Sequence, residues 1–371
     1  MPVNGHLRDI GRPCAQLAGG ELAPAGQRAN DPEPDRVQDE LGDVHTTYYV
    51  TSDTVLAIES GRATGVGYET RDRASGARQR AIGLRRGMRC RRRLGRIRVR
   101  LRAGPYQLDL VVPQLADQAH LVTYDRAGFG RSGRIKQQLR INDMAADLVA
   151  LIDATVPDGA TLVLVGHSMG GLICRRAAER LGARLGALLL VDPTPETAPV
   201  YDTFDRTAKQ VDLSLAIGQP LMWIRPVAWL STGNIRRVYP HETYETMLGE
   251  DFTPAGIGQT RKEFKAVAAA IHEFRAAPPT LPECPTVILS ATRPLRRGSD
   301  PQMLGAHQRR WVESLPNGRF EPVDSSHFIQ AEQPELVAET IRQLAGSLMC
   351  AHSQVRVGES APASATSGGY E

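Results

Sequence analysis

A mostly parallel, doubly wound α/β fold is predicted by three features of the 371-residue chain. Several strand-sized runs are apolar throughout instead of alternating: LVLV before Gly166, ALLLV before Asp192 and PTVIL at 285–289. A strand reads that way when both of its faces are buried, as in a parallel sheet covered on both sides. Amphipathic helical stretches separate these runs, so strand and helix alternate. The third feature is bulk composition: 41% apolar and 23% charged residues match a globular chain with a sizeable core.

Taken in order, residues 1–45 are rich in Gly, Pro and polar groups without a sustained period and read as a loose leader. The core is expected over 46–192 and 285–349. It opens with the short strands TTYYV and VLAIES. The window 71–102 then holds 14 arginines and one acid, Asp72, so it carries +13 and leaves −9 for the rest of a chain whose overall charge is +4. Three readings stand open for it: a solvated or disordered basic loop, a nucleic-acid or membrane-surface patch, or a reading-frame slip in a GC-rich gene. Only IRVRL near its end alternates as a strand. No aromatic is interleaved to stack on bases, so no nucleic-acid partner is expected. Beyond it, YQLDLVVPQLADQ reads as a helix, HLVTY (120–124) as a buried strand and 141–156 as a helix. A strand at 161–166, a helix at 169–182 and a strand at 187–192 follow. Residues 193–284 form an insert, with LMWIRPVAWL and FKAVAAAIHEF apolar enough for helices. Met222, Trp223 and Trp229 there either pack the insert on the core or line a pocket. A helix around 305–314, the strand RFEPV (319–323) and a closing helix from Pro334 to Met349 complete the core. Residues 350–371 read as a flexible tail.

Composition also narrows function. No apolar run approaches the roughly 18 residues of a membrane helix, so no span is expected. The five cysteines are widely spaced and form neither a disulfide framework nor a CxxC pattern. The N-terminal MPVNGHLRDIGRPC has early charges and no apolar core, unlike a secretory signal, and a reducing cytoplasm is the expected compartment. No phosphate loop, dinucleotide fingerprint or metal-ligand cluster occurs, so neither cofactor nor metal is expected.

The chemistry concentrates in Gly166-His167-Ser168-Met169-Gly170-Gly171, between a buried strand and an amphipathic helix. A serine in a tight strand-to-helix turn needs neighbours without bulk, which Gly166 and Gly170 supply. Such a turn lifts the Ser168 hydroxyl beyond the sheet and leaves the Met169 N–H at a helix N-terminus, placed to stabilise an oxyanion. Around this motif the chain resembles an α/β-hydrolase over about residues 97–347. GHSMGG is similar to that family's nucleophile elbow, Asp125-Arg126-Ala127-Gly128-Phe129-Gly130-Arg131-Ser132 to its DxxGxGxS loop, and Ser325-Ser326-His327-Phe328 to its histidine loop.

The resemblance implies an α/β-hydrolase fold with a helical cap, 193–284, between the sixth and seventh strands. It also implies a Ser…Asp…His order, with a small-molecule acyl substrate as partner. Among nine histidines, His327 alone follows a strand downstream of Ser168, and a histidine base is what a serine hydroxyl requires. His167, inside the elbow, is expected to be structural. The acid is expected to be Asp192, at the tip of ALLLVD, with Asp300, behind the longer basic loop ATRPLRRGS, as the alternative. Asp125 is expected to lock its own loop. The second oxyanion donor is expected from 97–108, where Pro105 lacks an N–H and Gly104 or Tyr106 remain. The expected activity is hydrolysis of an ester or related acyl bond, with perhydrolysis and carbon–carbon cleavage as variants on the same site. A non-catalytic ligand-binding protein of the same fold is the alternative. Epoxide and haloalkane hydrolysis normally use a carboxylate nucleophile, and a serine at 168 counts against them.

Overall fold

The structure, a computed structural model, describes the backbone of residues 55–59, 69–71, 78–80 and 98–100. It then describes 108–348 apart from 109, 116–119, 131, 134, 139, 157–159, 161 and 295–298, and the backbone of the last helix as far as 359. The leader 1–45, residues 360–371 of the tail, and Gly104, Pro105 and Tyr106 lie outside the described residues. In chain order the elements are β1 (Val55–Glu59), β2 (Glu69–Arg71), β3 (Arg78–Arg80), β4 (Arg98–Arg100), β5 (His120–Asp125), α1 (Ile141–Thr155), β6 (Leu162–His167), α2 (Met169–Leu181) and β7 (Leu185–Val191). The insert holds α3 (Phe204–Gly218), α4 (Arg225–Ser231), α5 (Gly233–Val238), α6 (His241–Glu250) and α7 (Pro254–Ala276). The chain closes with β8 (Thr286–Ala291), α8 (Pro301–Glu313), β9 (Gly318–Val323), α9 (Ile329–Glu332) and α10 (Pro334–Glu359).

Seven strands form one sheet in the order β4-β5-β1-β6-β7-β8-β9, and β2 and β3 pair separately. From β6 to β9 every pairing is parallel. The continuous apolar runs follow from two-sided burial. Leu162, Leu164, Leu188, Leu190 and Ile288 face one layer, packed with α1, α2 and α7. Val163, Val165, Leu189, Val191, Val287 and Leu289 face the other, packed with α10 through Val337, Ala338, Ile341 and Leu344. Alternation is present, but as two apolar faces, so polarity does not reveal it.

Several expectations need correction. β1 runs antiparallel between β5 and β6, and β4 runs antiparallel to β5 at the sheet edge. The arginine window holds two short strands, β3 and β4, and the last residue of β2, where one strand, at IRVRL, was expected. The stretch read as a helix at 106–118 holds a 3-10 turn, Val112–Gln114. Pro113 and the burial of Leu108, Val111, Val112 and Leu115 against the sheet fix this compact turn. The closing helix α10 continues to Glu359, ten residues into the expected tail, because GSLMCAHSQVRVGE contains no proline to stop it. The insert is helical and lies between β7 and β8. Trp223 and Trp229 neither pack it on the core nor sit enclosed; they are 77% and 46% exposed. Tyr244, Met247, Phe252, Ile257 and Phe264 pack the insert instead, together with Phe328 from the loop after β9.

The insert is also tied to the loop after β5. Arg126, 3% exposed, makes a two-pronged ion pair with Glu263 of α7, 1% exposed, at 3.0 and 2.6 Å. Gly130 N donates to Asp251 at 3.2 Å. Gly128 has φ 99°, and a Cβ there would lie 2.5 Å from the Gln259 side chain. Asp125 lies within its own loop: a Cβ on Gly130 would meet its carboxylate at 2.6 Å, and its carbonyl accepts from Ser132 Oγ at 2.6 Å.

A buried pair costs desolvation, and breaking one partner strands the other charge. Arg126→Met is expected to destabilise the fold by about 3–5 kcal/mol. The double variant Arg126→Met/Glu263→Met should recover most of that loss. Denaturant unfolding of the two variants beside wild type checks this, and equal losses in both would contradict it.

Candidate active site

Two adjacent parallel strands, β6 and β7, end in the two non-glycine residues with positive φ among those described: Ser168 at 53° and Asp192 at 40°. Both ends are locked to their neighbours. Ser168 N donates to Val191 O at 3.0 Å, Thr194 N donates back to Ser168 O at 3.1 Å, and Asp192 N donates to Leu289 O at 2.7 Å. Backbone in this region is strained for residues with a Cβ, and these bonds hold it there.

The glycines explain how close the packing is. A Cβ on Gly166 would sit 2.6 Å from Cys174 Sγ and 2.7 Å from the Gly170 carbonyl; one on Gly171 would sit 2.7 Å from Pro193 Cβ. Gly166 thus admits α2 against the turn, and Gly171 admits the chain leaving β7. The sequence motif pointed to Gly166 and Gly170, and Gly171 was not singled out. Met169 begins α2, whose first N–H groups have no acceptor within the helix. The helix N-terminus at Ser168 therefore favours negative charge beside the hydroxyl.

His327 lies beyond β9, with its side chain 23% exposed. Its Nδ1 meets Asp192 Oδ2 at 2.6 Å, and Asp192 is 11% exposed. With the carboxylate ionised, Nδ1 carries the proton and Nε2 is left as an acceptor. Asp192 Oδ1 accepts from Ala291 N at 3.3 Å and from Gln308 Nε2 at 3.1 Å. His167 is buried at 2% and donates from Nε2 to the His327 carbonyl at 2.8 Å; the two rings lie 4.5 Å apart. Inside the elbow, its contact is thus with the other histidine.

Glu332 was not found from the sequence. Its carboxylate accepts from Ser326 N and Ser325 Oγ, both at 3.3 Å, and from Ser326 Oγ, and it pairs with Arg293. The serines of SSHF thus anchor the loop that carries His327. Asp300 is elsewhere: its side chain is exposed and accepts from Met303 N at 2.9 Å, capping α8. β4, inside the stretch 97–108 from which the second oxyanion donor was expected, runs antiparallel and pairs Arg100 with Thr123 and Arg98 with Asp125. Its C-terminal end therefore faces away from the end of β5 that continues into the DRAGFG loop. No cluster of His, Cys, Asp or Glu suited to a metal occurs among the described residues, and no described helix is long and apolar enough to cross a membrane.

The family model described as alpha/beta hydrolase family matches residues 101–340. Two curated relatives named "Putative carbamate hydrolase RutD" match shorter segments. The protein from Variovorax paradoxus (strain S110) is 36% identical over 87 residues, 22% of this chain and 32% of its own length. The one from Azorhizobium caulinodans is 33% identical over 81 residues, 22% of this chain and 30% of its own. The chain thus spans about a third of the length of these relatives. Among solved structures, the ligand-free epoxide hydrolase CorEH superposes with a TM-score of 0.52 at 18% identity, covering 66% of this chain and 87% of that one. This likeness is one of fold.

An exposed N-cap contributes about 1 kcal/mol. Asp300→Ala is therefore expected to lower stability by about 0.5–2 kcal/mol, read as a shift in the denaturation midpoint with an unchanged slope. A variant as stable as wild type would mean that the cap bond contributes nothing.

Proposed function

The chain belongs to the alpha/beta hydrolase family, and from that premise we propose that it is a serine hydrolase. Its substrates are esters or related acyl bonds, carbamates included, of small organic molecules. The observation that carries the proposal is the Asp192–His327 bond of 2.6 Å, on a histidine whose other ring nitrogen is left as an acceptor. Ser168 is the nucleophile. His327 Nε2 takes its proton as the hydroxyl attacks the carbonyl carbon, and the resulting imidazolium is stabilised by ionised Asp192. The Met169 N–H, at the α2 N-terminus, supports the negative oxygen of the tetrahedral intermediate. His327 then returns the proton to the leaving alcohol, thiol or amine. The acyl-enzyme on Ser168 is cleared by water, activated by the same imidazole. Glu332 and His167 hold the His327 loop and do not touch the reacting atoms.

Asp192 is preferred to Asp300 as the acid because the former bonds His327 while the latter caps a helix. Carbamates enter the substrate class because their carbonyl meets the same nucleophile, and two relatives bear that name.

Two outcomes test this reading. Ser168→Ala is expected to lower turnover of a short activated ester by about a thousandfold or more and to abolish labelling by a fluorophosphonate. Retention of a tenth of the wild-type rate would remove Ser168 from its role. Asp192→Asn preserves shape but favours the wrong tautomer of His327, with a loss on the order of 10⁴, whereas Asp300→Asn should stay within about tenfold of wild type. Turnover measured on folded protein ranks the two, and the reverse ranking would move the acid to Asp300.

A further inference from the structure

We propose that Gln308 is a positioning residue for the acid: its carboxamide holds Asp192 in the rotamer that aims Oδ2 at His327. The inference rests on the Ser168–His327–Asp192 reading and adds a residue that no catalytic motif marks.

Gln308 lies on α8, the helix that follows β8, and is 2% exposed. Its Nε2 donates to Asp192 Oδ1 at 3.1 Å and to the Pro193 carbonyl at 2.7 Å. An amide nitrogen has two hydrogens, one for each acceptor. Turning the amide over would aim Oε1 at a carboxylate and a carbonyl, two acceptors with no donor between them. The partners themselves therefore decide the orientation. The two carboxylate oxygens of Asp192 are divided accordingly. Oδ1 takes Gln308 and the longer contact from Ala291 N at 3.3 Å, and Oδ2 takes His327 at 2.6 Å.

The clamp grips both sides of a strained turn. Asp192 has φ 40°, so its side chain leaves the strand at an angle that the backbone alone does not favour. One nitrogen holds the carboxylate of this residue and the carbonyl of the next. The helix is close enough to do this because of Gly305, one turn earlier on the same face. A Cβ at Gly305 would lie 3.1 Å from Ser290 Oγ, so α8 sits directly against the end of β8.

The choice of an amide is also informative. A lysine or arginine at 308 would pair with Asp192 and compete with His327 for it, and a glutamate would repel it. His327 and Gln308 face Asp192 directly. The Tyr201 phenol is pushed upward, first by burial and next by the charge of Asp192. Arg175 and Glu196, flanking the same turn, are paired with each other at 2.7 and 2.9 Å. His307 bonds Thr197.

The test uses the full chain with p-nitrophenyl acetate as probe substrate, in Gln308→Met, Gln308→Asn and Ser168→Ala. Gln308→Met keeps the length of the side chain and removes both donors. Its kcat is expected to fall by ~10–100-fold, by analogy with the range found when the partners that orient metal ligands are removed, with KM within about twofold. Loss of the donor concentrates negative charge on Asp192, which strengthens its hold on protonated His327. The acidic limb of the kcat/KM profile should therefore move to higher pH by about half a unit or more. The far-downfield proton resonance of His327 Nδ1–H should shift or disappear. Gln308→Asn keeps the amide one methylene short and should fall between Met and wild type; it carries the same comparison if the Met variant does not fold. Rates are referred to sites titrated with fluorophosphonate, so an unfolded fraction does not count. A folded variant with wild-type kcat and an unmoved acidic limb overturns the inference, as does a loss of stability alone. If Ser168→Ala retains activity, the reading of the site fails and this inference falls with it. If Ser168→Ala is inactive while the Gln308 variants match wild type, only the role of Gln308 is lost.

Discussion

The candidate site depends on how β6 and β7 end. Each enters a left-handed residue, Ser168 and Asp192, and the two turns are bonded to each other and to β8: Ser168 N to Val191 O, Thr194 N to Ser168 O, Asp192 N to Leu289 O. A parallel sheet brings successive strands out at the same edge. Ser168 after one strand and Asp192 after the next are therefore neighbours by construction, although 24 residues separate them in sequence. The strain of two positive φ values is sustained by these bonds and by the packing that Gly166 and Gly171 permit. Replacing either glycine would push α2 or the Pro193 turn away and move both functional groups together.

Much of this was legible in the sequence because its causes are local. GHSMGG names its own turn, since a serine flanked by glycines between an apolar strand and a helix has few other uses. His327 was legible by order, as the histidine that follows a strand downstream of the serine. The strands β6 to β9 and the helices between them were legible from run length and period. Asp192 was preferred to Asp300 there, since it ends an apolar strand while Asp300 lies behind a long basic loop, but the sequence alone left both open. What separates them is a long-range bond to His327 in one case and a bond to Met303 N, three residues on, in the other.

The remainder was hidden for physical reasons of the same kind. Gln308 is 116 residues from Asp192, and an isolated glutamine in an amphipathic helix carries no signal of what it will meet. Glu332 sits in a helix of four residues and looks like an ordinary surface acid until the SSHF loop folds over it. The tryptophans of the insert misled in the opposite direction. Size and apolarity suggest burial, but the interior of the insert is filled by Tyr244, Met247, Phe252 and Phe264, and Trp223 and Trp229 remain outside. The antiparallel placement of β1 was equally out of reach. VLAIE is apolar enough for any central position, and strand direction leaves no trace in a run of five residues.

The supports around the site differ in kind, and the difference follows from what each must hold. Arg126–Glu263 and Arg175–Glu196 are charged, two-pronged and buried; they join whole segments, the DRAGFG loop to α7 and α2 to the turn after Asp192. Such pairs are costly to desolvate and strongly directional, which suits a fixed joint between elements. Next to Asp192 the donors besides His327 are neutral, a backbone N–H and an amide. A neutral donor orients a carboxylate without cancelling its charge, and in the proposed mechanism that charge stabilises an imidazolium on His327. A cation in the place of Gln308 would hold Asp192 more firmly and weaken its hold on the histidine. Firm ion pairs at the joints and neutral hydrogen bonds at the acid are therefore two answers to one requirement, that the carboxylate be immobile and still carry its charge.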